Sequence, residues 1–193
     1  EAINEILQSH ELEITVEPKT KIPTLKSMSG SFISTAVDRK KVQKVVTFSP
    51  TVFSIPDTDL QEKLVAVMMP FAAEFDKVYD AIKAACVSNG LFCYRADDIW
   101  TNSSIMQDIF DLIFSSRIVI VDYTGRNSNV LYETGIAHTL GKTVVPITQS
   151  LDDIPFDLKP HRSLKYLHNE EGLYELTRSL SIRIKTILEG HTW

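Results

Sequence analysis

The sequence predicts an α/β fold with a parallel sheet over residues 64–188. Apolar runs of four to six residues alternate there with segments whose apolar residues recur every three or four positions. Before Leu64 neither period is sustained. We therefore expect residues 61–193 to form one α/β domain, and residues 1–60 to be an N-terminal extension or the remnant of another domain.

The expected strands are short apolar runs bounded by charged or turn-forming residues. They are Leu64–Met69, Leu91–Tyr94, Arg117–Val121, Val144–Thr148 and Ser163–Leu167. Pro70 closes the first strand, because proline cannot donate a hydrogen bond to a sheet. With a crossover helix between successive strands, the order 2-1-3-4-5 is favoured for a five-stranded parallel sheet, which makes a flavodoxin-like three-layer sandwich.

Four amphipathic helices are expected in the same region. The first carries apolar residues on one face from Phe75 to Cys86, and the second from Ile105 to Ile113. The third is expected from about Asn129 to Leu140, and the fourth from about Glu171 to Leu188. Asn89-Gly90 and Gly141 predict left-handed ends for the first and third helices. Ser104 and Gln107 have the spacing of a capping box at the start of the second.

Patterns within residues 1–60 are shorter. Apolar residues between positions 2 and 7 suggest a helical piece, and Leu12–Val16 alternates like a strand. A second strand pair is expected at Val42–Phe48 and Val52–Ile55, broken at Ser49-Pro50.

Composition limits the class of protein. The 193 residues are 44% hydrophobic and carry 20 Lys and Arg against 25 Asp and Glu, a net charge of −5. This excludes disorder over most of the chain and makes nucleic acid an unfavoured partner. Pro70 interrupts the longest apolar run, so no membrane span is expected. Cys86 and Cys93 lack metal or disulfide spacing, which favours reduced core residues and a cytoplasmic protein.

In a sheet of this order, ligands bind beyond the carboxyl ends of the strands, where the order reverses between the first and third strands. The loops at that edge supply the candidate substrate contacts. They are Met69, Phe71, Asp97, Asp122, Gly125, Arg126, Asn127 and Asn129. Arg95 and Arg126 could each hold a phosphate or pair with the neighbouring carboxylates.

Glu133 is the most unusual residue of the expected third helix. It shares a helix face with residues expected to meet the sheet, Ile136, Ala137 and Leu140. A carboxylate there costs energy unless it has partners or a function. A favourable interaction with the helix dipole is the structural alternative, and Gly135 could serve only to bring the helix close to the sheet.

Three aspartates are weaker candidates. Asp108 borders the inward face of the second helix, where a solvated edge position is the alternative to a functional one. Asp97 and Asp98 follow the second strand, a place where aspartate is common for turn geometry. Their expected convergence with Asp122 on one edge of the sheet is what makes them candidates.

Several kinds of site lack their motifs. The sequence has no glycine-rich dinucleotide or P-loop motif, no GxSxG and no HExxH. His138 stands about 140° round the helix from Glu133, so the two do not form a metal pair on one face. We therefore expect no cofactor and no metal.

Four segments together resemble a known family. They are Val65-Ala-Val-Met-Met-Pro-Phe71, Arg95-Ala-Asp-Asp98, Ile118-Val-Ile-Val-Asp122, and Asn127 to Ala137 with Gly141-Lys142. In this order they are similar to the nucleoside 2-deoxyribosyltransferase-like family, which is related in fold to bacterial TIR-like domains. The resemblance covers Leu64–Thr148 well and says nothing about residues 1–60.

The resemblance implies roles for individual residues. Glu133 matches the glutamate that attacks or stabilises the anomeric carbon while an N-glycosidic bond breaks. Asp108 matches an assisting acid on the second helix, and Asp98 is the alternative for managing the leaving base. Transferases of the family often carry an acid where this chain has Asn127, which favours hydrolysis or a changed substrate.

The leading hypothesis is an enzyme, hydrolase or transferase, that cleaves the N-glycosidic bond of a nucleoside, a nucleotide or NAD. Many TIR-like relatives serve in antiphage or nucleotide-signalling systems and often act as assemblies, so an effector role and a homo-oligomer are both implied. The alternative is a nucleotide-sensing or assembly module of the same fold without catalysis.

Overall fold

The computed structural model describes the backbone of residues 12–16 and 23–27, and residues 50–99, 102 and 104–190 in full. The chain divides into two units, Glu1–Ser49 and Pro50–Trp193. In the first unit, strands β1 (Leu12–Val16) and β2 (Pro23–Ser27) pair antiparallel. The sequence predicts β1 but not β2, and the helix expected at 2–7 and the strand expected at 42–48 lie outside the described residues.

The second unit contains a five-stranded parallel sheet. Its strands are β3 (Gln61–Met68), β4 (Phe92–Arg95), β5 (Ser116–Asp122), β6 (Thr143–Thr148) and β7 (Leu164–Lys165). Their spatial order is β4-β3-β5-β6-β7, and every neighbouring pair is parallel. This is the order 2-1-3-4-5, so the predicted flavodoxin-like α/β fold is confirmed.

Four helices cover the two faces of the sheet. They are α1 (Asp76–Val87), α2 (Ile105–Ser115), α3 (Ser128–Thr139) and α4 (Glu170–Leu188). Because side chains alternate along a strand, Val65 and Ile118 belong to the core under α1 and α4, whereas Ala66 and Val119 belong to the core under α2 and α3. The apolar strands fill both cores, which is why they lack alternation in sequence.

Helix ends follow the prediction at two sites and depart from it at a third. Gly90 and Gly141 have φ values of 71° and 68°, as expected for left-handed helix ends. Ser104 does precede α2, but its side chain makes no capping hydrogen bond. The predicted capping box is wrong, because the Gln107 side chain bonds both the N–H and the C=O of Ser54, at 2.9 and 2.8 Å.

Residues 53–58 contact α2 instead of forming a strand. Val52–Ile55 has no strand geometry, so that expectation is wrong. The ring of Phe53 stacks on Phe110 with the centroids 4.7 Å apart, and the hydroxyls of Thr58 and Ser115 lie 3.0 Å apart. An aromatic stack and side-chain hydrogen bonds therefore hold this segment on the helix.

Two further expectations concern the cysteines and the membrane. Cys86 on α1 and Cys93 on β4 are both buried, and neither forms a disulfide, as predicted for core residues. In the part of the chain that the structure describes, no helix combines the length and hydrophobicity that crossing a bilayer requires.

Candidate functional site

Glu133 lies on the buried side of α3. The helix begins at a cap in which Asn127 Oδ1 accepts a hydrogen bond from the N–H of Asn129 at 2.9 Å and from that of Val130 at 3.4 Å. Glu133 follows in the second turn, on the same buried stripe as Val130 and Ala137, and is only 5% exposed. The position predicted from the helical period is therefore correct.

The Glu133 carboxyl is buried, and its burial is not compensated by the residues that the structure describes. Within residues 50–99, 102 and 104–190, no group donates a hydrogen bond to it. Burial alone raises its pKa to about 7, because loss of solvent disfavours the charged form. A glutamate serving the helix dipole belongs at the exposed first turn, where its pKa is lowered. The dipole interpretation therefore does not account for Glu133.

Gly135 does not bring α3 close to the sheet. The residue is exposed, and a Cβ atom built on it meets no atom within 4 Å. The close-approach interpretation is therefore wrong, and nothing in the described structure explains the glycine.

Asp122, at the end of β5, is the second buried carboxylate of this edge. Its Oδ1 accepts hydrogen bonds from the N–H and the hydroxyl of Thr124, at 2.9 and 2.5 Å, and its Oδ2 accepts one from the Tyr166 hydroxyl at 2.6 Å. Burial raises the pKa of Asp122, although these hydrogen bonds oppose the shift. Asp122 thus ties the end of β5 to Tyr166, the residue after β7, and starts the loop that leads to α3.

The rest of that loop is held by its neighbour, the 3-10 turn Leu151–Asp153. Gly125 and Arg126 both have positive φ, 72° and 53°, and the Gly125 N–H donates to Asp153 Oδ2 at 2.9 Å. The Arg126 guanidinium donates to the carbonyl of Asp152. Of the expected substrate contacts here, Asn129 keeps an exposed side chain, whereas Asn127 is used as the cap.

The loop after β4 is an ion-pair cluster. Arg95 bonds Asp97 through two nitrogens, at 2.9 and 2.8 Å, reaches Asp76 at 3.3 Å, and lies over the ring of Tyr79. For Arg95, of the two alternatives left open by the sequence, pairing with carboxylates is the one observed. Asp97 is accordingly engaged in this pair.

Asp98 accepts two hydrogen bonds through one oxygen. Its Oδ2 lies 2.5 Å from the Tyr79 hydroxyl and 3.1 Å from the Arg95 N–H. Partial burial acts to raise the pKa of Asp98, but these hydrogen bonds and the nearby cations outweigh it, and the pKa is lowered. Asp98 is therefore ionised at neutral pH.

Asp108 is buried on α2 and is 4% exposed. Its Oδ1 accepts from the backbone N–H and the side-chain amide of Asn102, at 2.9 and 2.8 Å. The same amide reaches Asp111 at 3.0 Å. Asp108 therefore does not occupy the solvated edge position that was the alternative to a functional one.

Asp98 and Asp108 line one cavity of about 490 Å³. Its walls combine three carboxylates, other polar groups and apolar side chains. The lining residues are Pro56, Thr58, Gln61, Leu64, Tyr94, Asp98, Ile99, Asp108, Asp111, Leu112 and Ser115. Glu133 is not part of this wall. The structure thus brings together two of the three predicted catalytic carboxylates and adds Asp111 and Tyr94, which sequence reasoning missed.

Met69 and Phe71, at the end of β3, differ in access. Met69 is 2% exposed and belongs to the core under α1 and α4, whereas Phe71 is 50% exposed. Phe71 is therefore the one of the two with a surface that a ligand can reach.

Lys142, the last residue of the family-like segments, has a structural role. Its ammonium donates to the carbonyls of Phe114 and Ser116, the latter at 2.9 Å. These groups stand where α2 passes into β5, at the amino end of that strand. Lys142 therefore holds the end of α2 to the start of β5.

No metal centre is evident in the described ranges. Residues 50–99, 102 and 104–190 contain no group of three or more His, Cys, Asp or Glu side chains arranged to hold a metal ion. His138 instead packs beside His161, with the ring centroids 5.2 Å apart.

Comparisons with known proteins find distant similarity in structure. No protein family and no curated protein matches the sequence. Similar solved structures include a 2-desoxiribosyltransferase from Leishmania mexicana, 16% identical with a TM-score of 0.43, with 60% of this chain and 97% of that chain covered. Another is the TIR domain of the Toll-related receptor TRR-2 from Hydra magnipapillata, 18% identical with a TM-score of 0.49, covering 63% and 97%.

A third is a diflavin flavoprotein A3 from Nostoc sp., 14% identical with a TM-score of 0.44, covering 68% and 99%. Both kinds of protein named by the sequence resemblance, a deoxyribosyltransferase and a TIR domain, are thus among these distant neighbours.

Proposed function

We propose that this protein cleaves the N-glycosidic bond of a nucleoside, a nucleotide or NAD, with Glu133 as the nucleophile or the stabiliser of the reacting sugar. The observation that carries the proposal is a buried carboxyl group to which no described residue donates a hydrogen bond, and whose pKa is raised to about 7. Such a group costs stability. A functional use is the reason to retain it.

The chemistry of glycosidic cleavage suits such a group. As the bond from C1′ to the base nitrogen breaks, its electron pair leaves with the base and positive charge develops on the sugar. A carboxylate removed from water interacts strongly with that charge, or bonds to C1′ through one oxygen. Water then attacks C1′, displaces the carboxylate and gives up a proton, which replaces the proton taken up by the departing base, so that hydrolysis is complete.

The departing base needs a proton or a hydrogen bond, and two aspartates are proposed to contact it. Asp98 is ionised at neutral pH, because hydrogen bonds from Tyr79 and Arg95 lower its pKa. It can accept a hydrogen bond from a base but is a poor proton donor. Asp108, buried on α2 beside the same cavity, is the other carboxyl group proposed to contact the leaving base.

Hydrolysis is favoured over transfer to a second base. The position at which transferases of the resembled family often carry an acid is Asn127, and its side chain is occupied in capping α3. It therefore does not supply the missing carboxylate function. Asn129 and Phe71 keep exposed side chains and are proposed to contact the sugar and the base.

Base release is the direct test. Wild-type protein and Glu133→Gln are incubated with NAD, nucleosides and nucleoside monophosphates, and the products are separated by liquid chromatography. The matched control is Glu175→Gln, which makes the same chemical change on the exposed surface of α4. We expect a free base or nicotinamide from wild type and control, and none from Glu133→Gln. Nucleotide binding by a folded wild type that releases no product would instead favour the sensing module.

A further inference from the structure

A second cavity lies at the other end of the sheet order, beside β6. The short strand β7 pairs only with Ile147 and Thr148, so it leaves the first part of β6 without a neighbour on that side among the described residues. A cavity of about 390 Å³ occupies this place. It is lined by Val144, Val145, Pro146, Arg162, Ser163, Leu164 and Arg183.

Two arginines line this cavity. Arg183 comes from α4 and Arg162 from the segment just before β7. Burial, together with the charge of Arg162, lowers the pKa of Arg183, so the two cations are close enough to repel. An anion between them would remove that repulsion.

The surrounding sequence strengthens the positive potential. The stretch from Lys159 to Lys165 holds four basic residues, counting His161, and no acidic residue stands between Asp157 and Glu170. This is unusual in a chain with a net charge of −5. A local basic region in an acidic protein indicates a partner that is negatively charged.

We propose that this cavity binds the phosphate group of a small molecule between Arg162 and Arg183. Guanidinium groups bind phosphate oxygens through paired hydrogen bonds, and Ser163 lines the same cavity. The binding adds to the interactions that both arginines already make. A volume of about 390 Å³ is within the range of small-molecule pockets, and the apolar walls suit the remainder of such a ligand.

The site is separate from the one proposed for catalysis. Arg183 belongs to α4, which packs on one face of the sheet, whereas Glu133 belongs to α3 on the other. The inference therefore goes beyond the proposed glycosidase activity and does not depend on it. Glu133→Gln should bind phosphate as wild type does.

Calorimetric titration tests the site with inorganic phosphate, and thermal unfolding is measured in parallel against chloride at equal ionic strength. We expect phosphate to raise the melting temperature of wild type more than chloride does. Arg162→Gln and Arg183→Gln should each weaken phosphate binding at least about tenfold, the effect of losing a charge-assisted hydrogen bond. Arg178→Gln, an exposed arginine on the same helix, is the matched control and should bind as wild type.

Either of two results overturns the proposal: wild type responds equally to phosphate and chloride, or both cavity variants keep full phosphate binding. If Arg183→Gln fails to fold, Arg162→Gln decides alone, because Arg162 is exposed. A nucleoside monophosphate is titrated as a second arm. Tighter binding than phosphate that is lost in Arg162→Gln would show that the apolar walls hold the rest of the ligand.

Discussion

Asp122 and Glu133 are two buried carboxylates, eleven residues apart in the chain, in opposite situations. Asp122 is fully buried and receives three hydrogen bonds, from Thr124 and Tyr166. Glu133 is nearly as buried and receives none from the described residues. Burial raises the pKa of both groups, but only at Asp122 do hydrogen bonds oppose the shift.

The difference in hydrogen-bond donors suits the two carboxylates to different roles. A buried carboxylate with a complete set of donors stabilises the fold around it. A buried carboxylate without donors leaves its charge to be balanced by something else, and a cationic transition state is one such partner. Burial alone therefore does not distinguish the two carboxylates; the hydrogen bonds that the described residues donate to Asp122, and not to Glu133, do.

The largest effect is expected on activity. Glu133→Gln keeps the size of the side chain but removes the charge, and it should reduce base release at least about 10³-fold. Asp122→Asn should retain most of the activity, because both oxygens of Asp122 are engaged by Thr124 and Tyr166. Release rates measured by chromatography under single-turnover conditions compare the two. Equal losses in both variants would remove the distinction between them.

Stability should respond in the opposite sense. Asp122→Ala leaves the Tyr166 hydroxyl and the Thr124 N–H without their acceptor, and we expect a loss of about 3 kcal/mol in the free energy of unfolding. Urea denaturation at pH 7 measures it. Tyr166→Phe is the companion variant, because it removes one hydrogen bond and leaves the others, and it should cost about 1 kcal/mol. A loss in Asp122→Ala no greater than in Tyr166→Phe would contradict the structural role.

The fold was predictable because its strands are apolar on both faces. Runs such as Ile118–Val121 indicate central strands of a parallel sheet without any knowledge of contacts. Strand and helix ends were predictable to within a few residues, whereas the expected strand at Val52–Ile55 was wrong. Its hydrophobic residues mark the stack of Phe53 on Phe110, a contact 57 positions apart that local periodicity does not reveal.

The candidate site was predictable in its residues more than in its contacts. The 3.6-residue period placed Glu133 on the buried face of its helix, since that depends only on local geometry. The partners of Asp98 and Asp122 were not predictable, because Tyr79 and Tyr166 lie 19 and 44 positions away. Arg95 and Asp97, opposite charges two positions apart, were the one local signal for an ion pair.

Removing the Glu133 charge should also stabilise the protein at high pH. The pKa of Glu133 is about 7 when folded and about 4.5 when unfolded, so the folded state holds its proton more tightly. The resulting stability is present below pH 4.5 and is lost as pH rises through 7. Glu133→Gln should therefore gain about 3 kcal/mol at pH 8 and almost nothing at pH 4.5. Urea denaturation at the two values measures the gain, with Glu175→Gln as control. An equal gain at pH 8 and at pH 4.5 would mean that ionisation of Glu133 does not destabilise the folded state.

The pH dependence of base release gives the smallest effect and the sharpest comparison. A nucleophilic or charge-stabilising Glu133 acts only when ionised, and with a pKa of about 7 its ionised fraction falls about fivefold between pH 7 and pH 6. The rate of base release in wild type should fall by the same factor over that interval and level off above about pH 8. Asp122→Asn should keep the same profile, because the proposed reaction depends on the ionisation of Glu133 and not on that of Asp122. A profile that is flat between pH 6 and 8 would mean that another group carries the charge, and Glu133 would then join Asp122 among the carboxylates that serve the fold.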